Sequence, residues 1–211
     1  MSDNTLPDEA APDHEEPKVR HRMKPGQRRE QILQTLAAML EQPGAERITT
    51  ASLAARLDVS EAALYRHFAS KAQMFEGLID FIEHSVFSLI NQIAERDGDG
   101  AQKAARMITV LLQFGEKNPG MARVMVGDAL VFENERLHQR MNQLFERVES
   151  ALRQVLRAAA EANKSATPTA DAQVRAAALV SYALGSLQRY TRSGFKRSPL
   201  DHLEASLALM L

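Results

Sequence analysis

Cysteine is absent from the 211 residues of this chain. Disulfide bonds, thiolate metal sites and cysteine nucleophiles are therefore excluded, and the absence fits a reducing compartment. Aromatic residues make up only 5% of the sequence and form no cluster that could stack the bases of single-stranded nucleic acid. No apolar run approaches the ~20 residues that span a bilayer, and the N-terminus lacks the apolar core of a signal peptide. We expect a soluble cytoplasmic protein with no membrane partner.

Catalytic motifs are also missing. The sequence has no HExxH, no glycine-rich phosphate loop and no nucleophile elbow. Its six histidines show no metal-ligand spacing, and Glu135 with His138 is explained by a solvated helix face. We therefore expect a protein that is not an enzyme and that binds no metal and no cofactor.

The formal net charge of −1 conceals a strong asymmetry along the chain. Residues 1–17 carry six acids and no Lys or Arg, whereas residues 18–71 carry ten Lys or Arg against five acids. The remaining residues carry sixteen of each sign. A short basic stretch before a neutral body is typical of a nucleic-acid head on a partner-binding body, although a solvated basic surface gives the same count.

The chain divides into a tail, a head and a body. Residues 1–25 are polar, contain four prolines and show no periodicity, which predicts a disordered tail. The basic part of this tail, residues 18–24, is either an arm along DNA phosphates or a solubilising segment. We place a DNA-binding head at residues 26–72 and a helical body at residues 73–211.

Apolar residues recur at steps of three and four from residue 28 onwards, as in the stripe of Ile32, Leu36 and Leu40. Prolines, glycines and capping hydroxyls separate the periodic segments. The pattern predicts an all-α protein of about nine helices, within residues 28–42, 50–57, 61–68, 71–96, 101–117, 121–132, 134–163, 171–195 and 201–211.

The most informative stretch is ITTASLAARLDVSEAALYRHF, residues 48–68. It predicts two short helices joined by a turn at residues 57–59. Ala54 lies where a bulkier side chain would hold the helices apart, and Val59 plugs the turn. The apolar residues that face each other across this small core are Leu53, Leu57, Ala63, Leu64 and Phe68. This is a helix-turn-helix pattern (motif 49–68), in which the second helix is held rigidly enough to enter the major groove.

The run AALYRHF at residues 62–68, followed by Ser70 and Lys71, resembles the signature of the TetR family of DNA-binding proteins. The resemblance covers residues 28–90 well, and over the body it extends to helix number and length. It implies a three-helix head and a C-terminal helical body that forms dimers. Asp58 stands in the turn where the family often has Gly, and Asp tolerates a left-handed backbone better than most residues.

Two threonines open the first helix of the motif. Hydroxyls and free N–H groups at a helix N-terminus suit a phosphate oxygen, so Thr49 and Thr50 are candidate phosphate ligands. Thr49 is alternatively only a helix cap. Lys71, which opens the next helix, is expected to clamp a phosphate.

The recognition helix supplies the remaining candidates, Ser60, Glu61, Ala62, Tyr65, Arg66 and His67. The first three open the helix and should face base edges, where Glu61 can accept from a cytosine amino group and Ala62 can touch a thymine methyl. Tyr65 and His67 should reach the DNA backbone, and Arg66 either reads guanine or lies on phosphate. In the alternative, Glu61 is only a first-turn acid and Tyr65 is partly core.

One head makes a small interface, whereas two heads spaced about 34 Å apart or a multiple would read a palindrome in double-stranded DNA. Small residues late in the chain allow close helix approach: Ala176, Ala177, Ala178, Ala183 and Gly185. Larger apolar residues lie among them: Leu179, Val180, Leu184 and Leu187. They form either a core within one chain or, as the family resemblance implies, a homodimer bundle.

Several stretches of the head and the body resemble one branch of the family, the nucleoid occlusion factors. They lie in residues 28–34, 47–51, 59–68, 81–83, 114–120, 142–147 and 193–196. The branch implies a nucleoid-associated protein that binds palindromic chromosomal sites and antagonises the division protein FtsZ. The implied partner surface comprises Phe81, Val110, Gln113, Lys117 and Asn118.

Two other interpretations stay open at this stage. On helical pattern alone Phe81 belongs to the core, and the segment around Lys117 is a plain helix stop. The main functional alternative is a repressor released by a small ligand, with inward polar groups in an apolar cavity. The candidate polar residues are His84, Asn91, Gln113 and Asn142, each equally explained as surface, so we do not expect a small-molecule ligand.

Overall fold

The computed structural model describes residues 26–42 and 48–211, and within them it contains nine α-helices and no strand. The predicted tail at residues 1–25 lies outside the described residues. The all-α prediction is confirmed. The helices are α1 Gln27–Leu40, α2 Thr50–Arg56, α3 Glu61–Tyr65, α4 Lys71–Glu95, α5 Gly100–Lys117, α6 Pro119–Met125, α7 Glu135–Ala162, α8 Pro168–Arg192 and α9 Leu203–Met210.

Side-chain caps fix where several of these helices begin. The hydroxyls of Thr49, Ser60 and Ser70 accept from backbone N–H groups in the first turns of α2, α3 and α4. The carboxylate of Asp99 does the same for α5. Each cap satisfies an N–H that has no partner within its helix, so the chain switches into helix at these residues.

Prolines start helices where the sequence pattern placed breaks. Pro119 and Pro168 occupy the first positions of α6 and α8, where the missing N–H costs nothing and the fixed φ favours the helix. The predicted segment at residues 121–132 is therefore α6 followed by a separate 3₁₀ turn, Asp128–Leu130. Likewise, α8 begins three residues earlier than the apolar pattern indicated.

The head packs around α1. Ile32, Leu36 and Leu40 of this helix are completely buried. Leu64 and Phe68 of the helix-turn-helix are each only 1% exposed. The buried residues of α1 thus share one core with the helix-turn-helix and with the body.

The helix α4 leads from the head into the body, where α7 runs beside it in the same direction. Ion pairs link the two helices in order along their length: Lys71 with Glu133, Glu76 with Arg136, Asp80 and Glu83 with Arg140, and Glu83 with Arg147. The helix α8 returns antiparallel against α7, which is its most extensive helix contact. We call the end of the body at Lys71 and Glu133 the head end.

No helix within the described ranges, residues 26–42 and 48–211, is long and apolar enough to cross a membrane.

The contact between α6 and α1 joins body to head and requires a glycine. A Cβ added at Gly120 would lie 2.2 Å from the carbonyl oxygen of Ala37, which is far inside van der Waals contact. At Gly115, by contrast, the nearest obstacle is the flexible end of the Leu187 side chain, at 2.4 Å. The close approach at Gly120 therefore constrains two backbones, whereas a side chain can adjust at Gly115.

We expect Gly120→Ala to lower the free energy of unfolding by about 1–3 kcal/mol, because the Ala37 carbonyl must shift to admit the methyl group. Urea unfolding followed by circular dichroism measures the change. Gly115→Ala is the matched control, and its cost should be smaller because Leu187 can change rotamer. Equal stability of Gly120→Ala and the parent would show that the α1–α6 contact is not tight.

Candidate nucleic-acid interface

The turn between α2 and α3 has the geometry that the sequence predicted. Asp58 adopts a φ of 53°, in the left-handed region that Asp tolerates. The N–H of Val59 donates to the carbonyl of Ala54 at 3.1 Å, which closes the turn. Leu53 and Ala54 are buried beneath it. The recognition helix α3 is thereby held at a fixed angle to α2.

Arg29 secures the far end of the recognition helix, a role that the sequence pattern did not indicate. Its guanidinium donates to the carbonyl of His67 at 2.9 Å and lies 4.0 Å from the ring centre of Phe68. His67 lies two residues beyond the last residue of α3, so this bond ties the chain that leaves the recognition helix to α1. Nothing in the local sequence could signal this contact, because the partners are 38 residues apart.

The six candidates of the recognition helix are all exposed. They are Ser60, Glu61, Ala62, Tyr65, Arg66 and His67. Tyr65 retains 47% of its surface, so its ring is available to a ligand. The contact of these side chains with a DNA groove stays a prediction.

The two threonines differ in their local bonding. Thr49 and Ser52 form a reciprocal capping box, with Thr49 Oγ1 accepting from the N–H of Ser52 at 3.0 Å. Thr50 Oγ1 donates to Glu61 Oε2 at 2.6 Å, which links the start of α2 to the start of α3. A phosphate at Thr50 or a base at Glu61 has to compete with this bond.

Lys71, the expected phosphate clamp, is paired with the body. Its ammonium lies 2.5 Å from Glu133 Oε1, and the two side chains are only 27% and 10% exposed. The same ammonium lies 5.6 Å from the ring centre of Phe75. A lysine has three N–H donors, so one can bind Glu133 while another binds a phosphate. Phosphate binding by Lys71 therefore stays a prediction.

The candidate partner residues lie on α4, in the C-terminal half of α5 and directly after α5. Phe81 is 51% exposed and its ring centre lies 6.0 Å from that of Phe114. The core position that helical pattern alone indicated for Phe81 is wrong, because Leu78 and Ile82 form the buried stripe and Phe81 lies at its edge. Lys117 is exposed, and Val110, Gln113 and Asn118 are half-buried.

Hydrogen bonds from two side chains hold the polar C-terminal end of α5 in place. Asn118 Nδ2 donates to the carbonyl of Phe114 at 2.8 Å. Tyr190 Oη donates to the carbonyl of Glu116 at 3.0 Å. Burial raises the pKa of the Tyr190 phenol, and the carboxylates of Glu116 and Glu41 raise it further. The hydroxyl therefore stays neutral and keeps donating to the end of α5.

The polar groups of the ligand-repressor interpretation do not converge. Gln113 lines an open groove between α5 and α9, Asn142 lines a groove between α7 and α8, and His84 and Asn91 line a third between α4 and α7. His84, Asn91 and Asn142 are exposed. The four side chains therefore face three separate surfaces instead of one cavity.

The helix α8 divides its small and apolar residues between two faces. Ala176, Leu179, Val180, Ala183 and Leu187 are buried within the chain. The opposite stripe is exposed or half-buried and comprises Val174, Ala177, Ala178, Ser181, Leu184 and Gly185. Val174 is 69% exposed, and no atom lies within 4 Å of a Cβ placed at Gly185. This exposed stripe, which we call the α8 stripe, allows close approach of another helix.

Family models match both parts of the chain. The model for bacterial regulatory proteins of the tetR family matches residues 32–78, and the SlmA-like model for tetracyclin repressor-like C-terminal domains matches residues 100–211. The first match contains the helix-turn-helix, and the second contains α5 to α9 and thus most of the body.

Curated relatives match over nearly the whole chain. The nucleoid occlusion factor SlmA of Vibrio vulnificus strain YJ016 is 50% identical over 188 residues, which are 89% of this chain and 95% of the relative. The protein of the same name from Vibrio cholerae is 51% identical over 184 residues, covering 87% and 93%.

Solved structures show the same fold at low identity. The TetR family regulator PfmR from Thermus thermophilus superposes with a TM-score of 0.70 at 22% identity, covering 85% of this chain and 96% of that one. The regulator FadR from Bacillus subtilis, solved with stearoyl-CoA, gives 0.67 at 14% identity, covering 86% and 96%. These likenesses concern architecture alone.

The family model of the head and the curated relatives are those of DNA-binding regulators, which are not enzymes. The chain belongs to the TetR family of bacterial regulatory proteins, in its branch of SlmA-like nucleoid occlusion factors.

Proposed function

We propose that this protein acts as a homodimer on palindromic sites of the chromosome and, in that state, antagonises assembly of FtsZ over the nucleoid. It would thus coordinate division with chromosome segregation. The observation that carries the FtsZ part is the half-exposed Phe81, whose ring centre lies 6.0 Å from that of Phe114. Lys117, which is exposed, follows Phe114 by three residues on α5. A large aromatic ring at the surface and a cation one helical turn beyond its neighbour suit a protein partner with apolar and acidic groups.

The dimer part is supported by the α8 stripe. Small side chains along an exposed helix face let a second helix approach closely, and Val174 and Leu184 would be buried by it. The neighbouring groove between α7 and α8 is lined in part by Ala177, Ser181 and Leu184 of the same stripe. In such a dimer each protomer contributes one recognition helix, and the pair reads a palindrome.

A co-sedimentation experiment tests the proposal as a whole. FtsZ is assembled with GTP and pelleted with this protein, with and without a duplex that carries a palindrome selected from random sequences. We expect the protein to pellet with FtsZ or to reduce its polymer, more strongly when the specific duplex is present. Tight palindrome binding with unchanged FtsZ polymer and pelleting would instead favour a ligand-released repressor.

For the DNA face, we expect Tyr65→Ala and His67→Ala each to weaken binding about three- to tenfold, because both side chains are exposed and we propose that they contact the DNA backbone. The loss should be similar for the palindrome and for an unrelated duplex, since phosphate contacts carry no sequence information. Fluorescence anisotropy at several salt concentrations gives both values. A loss confined to the palindrome would assign these residues to base reading.

For the dimer, Ala178→Glu places a charge on the α8 stripe without disturbing the core of one chain, because Ala178 is exposed. A carboxylate buried without a partner is costly, so the variant should be monomeric by light scattering and should bind the palindrome much more weakly. Ala38→Glu is the control, as an equally exposed alanine on α1. A dimeric Ala178→Glu protein would exclude the α8 stripe as the dimer interface.

For the partner face, Phe81→Ala combined with Lys117→Ala should abolish the effect on FtsZ while leaving the affinity for the palindrome unchanged. Leu209→Ala serves as the control, since Leu209 is 90% exposed and lies on α9 rather than on α4 or α5. If the double variant still co-pellets with FtsZ as the parent does, the partner surface lies elsewhere.

A further inference from the structure

The balanced charge of the body conceals a local cluster of cations. Residues 189–197 contain Arg189, Arg192, Lys196 and Arg197 and no acid, and all four side chains are exposed. We call them the basic tip of α8. Elsewhere the body pairs many of its charges, as Arg136, Arg140, Arg147 and Arg157 do. Among residues 26–42 and 48–211, the basic tip forms no ion pair.

The segment that carries these cations has a fixed shape. Ser193 Oγ accepts from the backbone N–H groups of Lys196 and Arg197, at 3.1 and 2.9 Å. The ring of Phe195 lies edge-on to Tyr190, with centres 5.1 Å apart, and the guanidinium of Arg123 lies 5.0 Å from the Phe195 ring centre. The backbone that presents the charges is therefore organised before any ligand arrives.

The basic tip lies at the head end of the body. Thr191 donates to Asp128 Oδ2 at 3.1 Å, and Lys71 pairs with Glu133 at 2.5 Å. Asp128 and Glu133 belong to the same six-residue segment, so the end of α8 and the start of α4 are held at one level. Because α4 follows directly from the recognition helix, the basic tip and the DNA-reading head lie toward the same end of the molecule.

The α8 stripe determines where this tip lies in a dimer. If α8 packs against its mate, the helix lies beside the twofold axis and its C-terminal end lies between the two heads. DNA that spans both heads then passes below the two basic tips, at the centre of the palindrome.

The head alone supplies little net charge for holding duplex DNA. Residues 26–72 carry six Lys or Arg against five acids. Of the six, Arg29 is bonded to His67 and Lys71 to Glu133. Four unpaired cations at the same end would add substantially to the attraction for phosphates.

We propose that Arg189, Arg192, Lys196 and Arg197 form a second DNA-contact surface, which binds backbone phosphates at the centre of the palindrome, between the half-sites. The inference rests on the proposed dimer and its DNA binding, and it is independent of FtsZ. These contacts would add affinity without sequence preference, since phosphates look alike at every base pair.

The test compares Lys196→Ala/Arg197→Ala with the parent in anisotropy titrations on the selected palindrome and on an unrelated duplex. The matched control is Arg106→Ala/Arg153→Ala, which removes the same charge from exposed positions on α5 and α7 away from the head end. Light scattering and circular dichroism verify that all three proteins are folded and dimeric. Arg189→Ala/Arg192→Ala is measured in the same way.

We expect Lys196→Ala/Arg197→Ala to lower the affinity for both duplexes by a similar factor, about three- to tenfold at 0.1 M salt. The slope of log K against log salt should become shallower by about 1 for each phosphate that the variant no longer binds. Neutral methylphosphonate linkages at the palindrome centre should weaken binding of the parent and of the control, and should have little further effect on the variant.

Unchanged affinity and salt slope in both basic-tip variants would overturn the proposal, as would equal sensitivity of parent and variant to the central methylphosphonates. Intact DNA binding with abolished FtsZ co-pelleting would assign the basic tip to an acidic protein surface and also overturn it. Failure of the parent itself to bind a palindrome would remove the proposed function, and this inference with it.

Discussion

The continuous helix α4 belongs to both parts of the molecule, and the position of everything else depends on how it is held. Its first residue, Lys71, comes six residues after the last residue of the recognition helix, and its buried stripe continues into the body as far as Ile93. Buried residues such as Ile79 and Ile82 fasten it to the core, while the ion pairs to α7 fix its register along the neighbouring helix. Because a helix of 25 residues is stiff, the orientation of the head follows from its packing in the body.

The recognition helix illustrates the same dependence on a smaller scale. With five residues, α3 is too short to persist in water without tertiary support. Its stability comes from the burial of Leu64 and Phe68 and from Arg29, which binds the chain just beyond its C-terminal end. Tyr65, Arg66 and His67 lie between these anchors with exposed side chains, which leaves those side chains available for contact with a groove.

Ion pairing decides where the surface of the body carries net charge, and the numbers of acids and bases do not reveal this. The body carries equal numbers of acids and bases, yet those on α4 and α7 neutralise each other across the helix contact, as Glu83 does with Arg140 and Arg147. The cations near the end of α8 have no such partner among the described residues. The body is neutral by residue count, but its surface is not uniform. Charges on α4 and α7 cancel in ion pairs, whereas the cations near the end of α8 are not cancelled and can attract phosphates.

Local pattern and capping chemistry by themselves determined the helical class, the helix-turn-helix and the residues on its outer face, because these depend on neighbours within a few positions. The left-handed Asp58 and the caps at Thr49, Ser60 and Ser70 follow from the same short-range rules. The exposure of Phe81, the Arg29 contact with His67 and the pairing of Lys71 with Glu133 were decided only by the tertiary structure. Each joins or separates residues far apart in the chain, and periodicity cannot specify which faces of two helices meet.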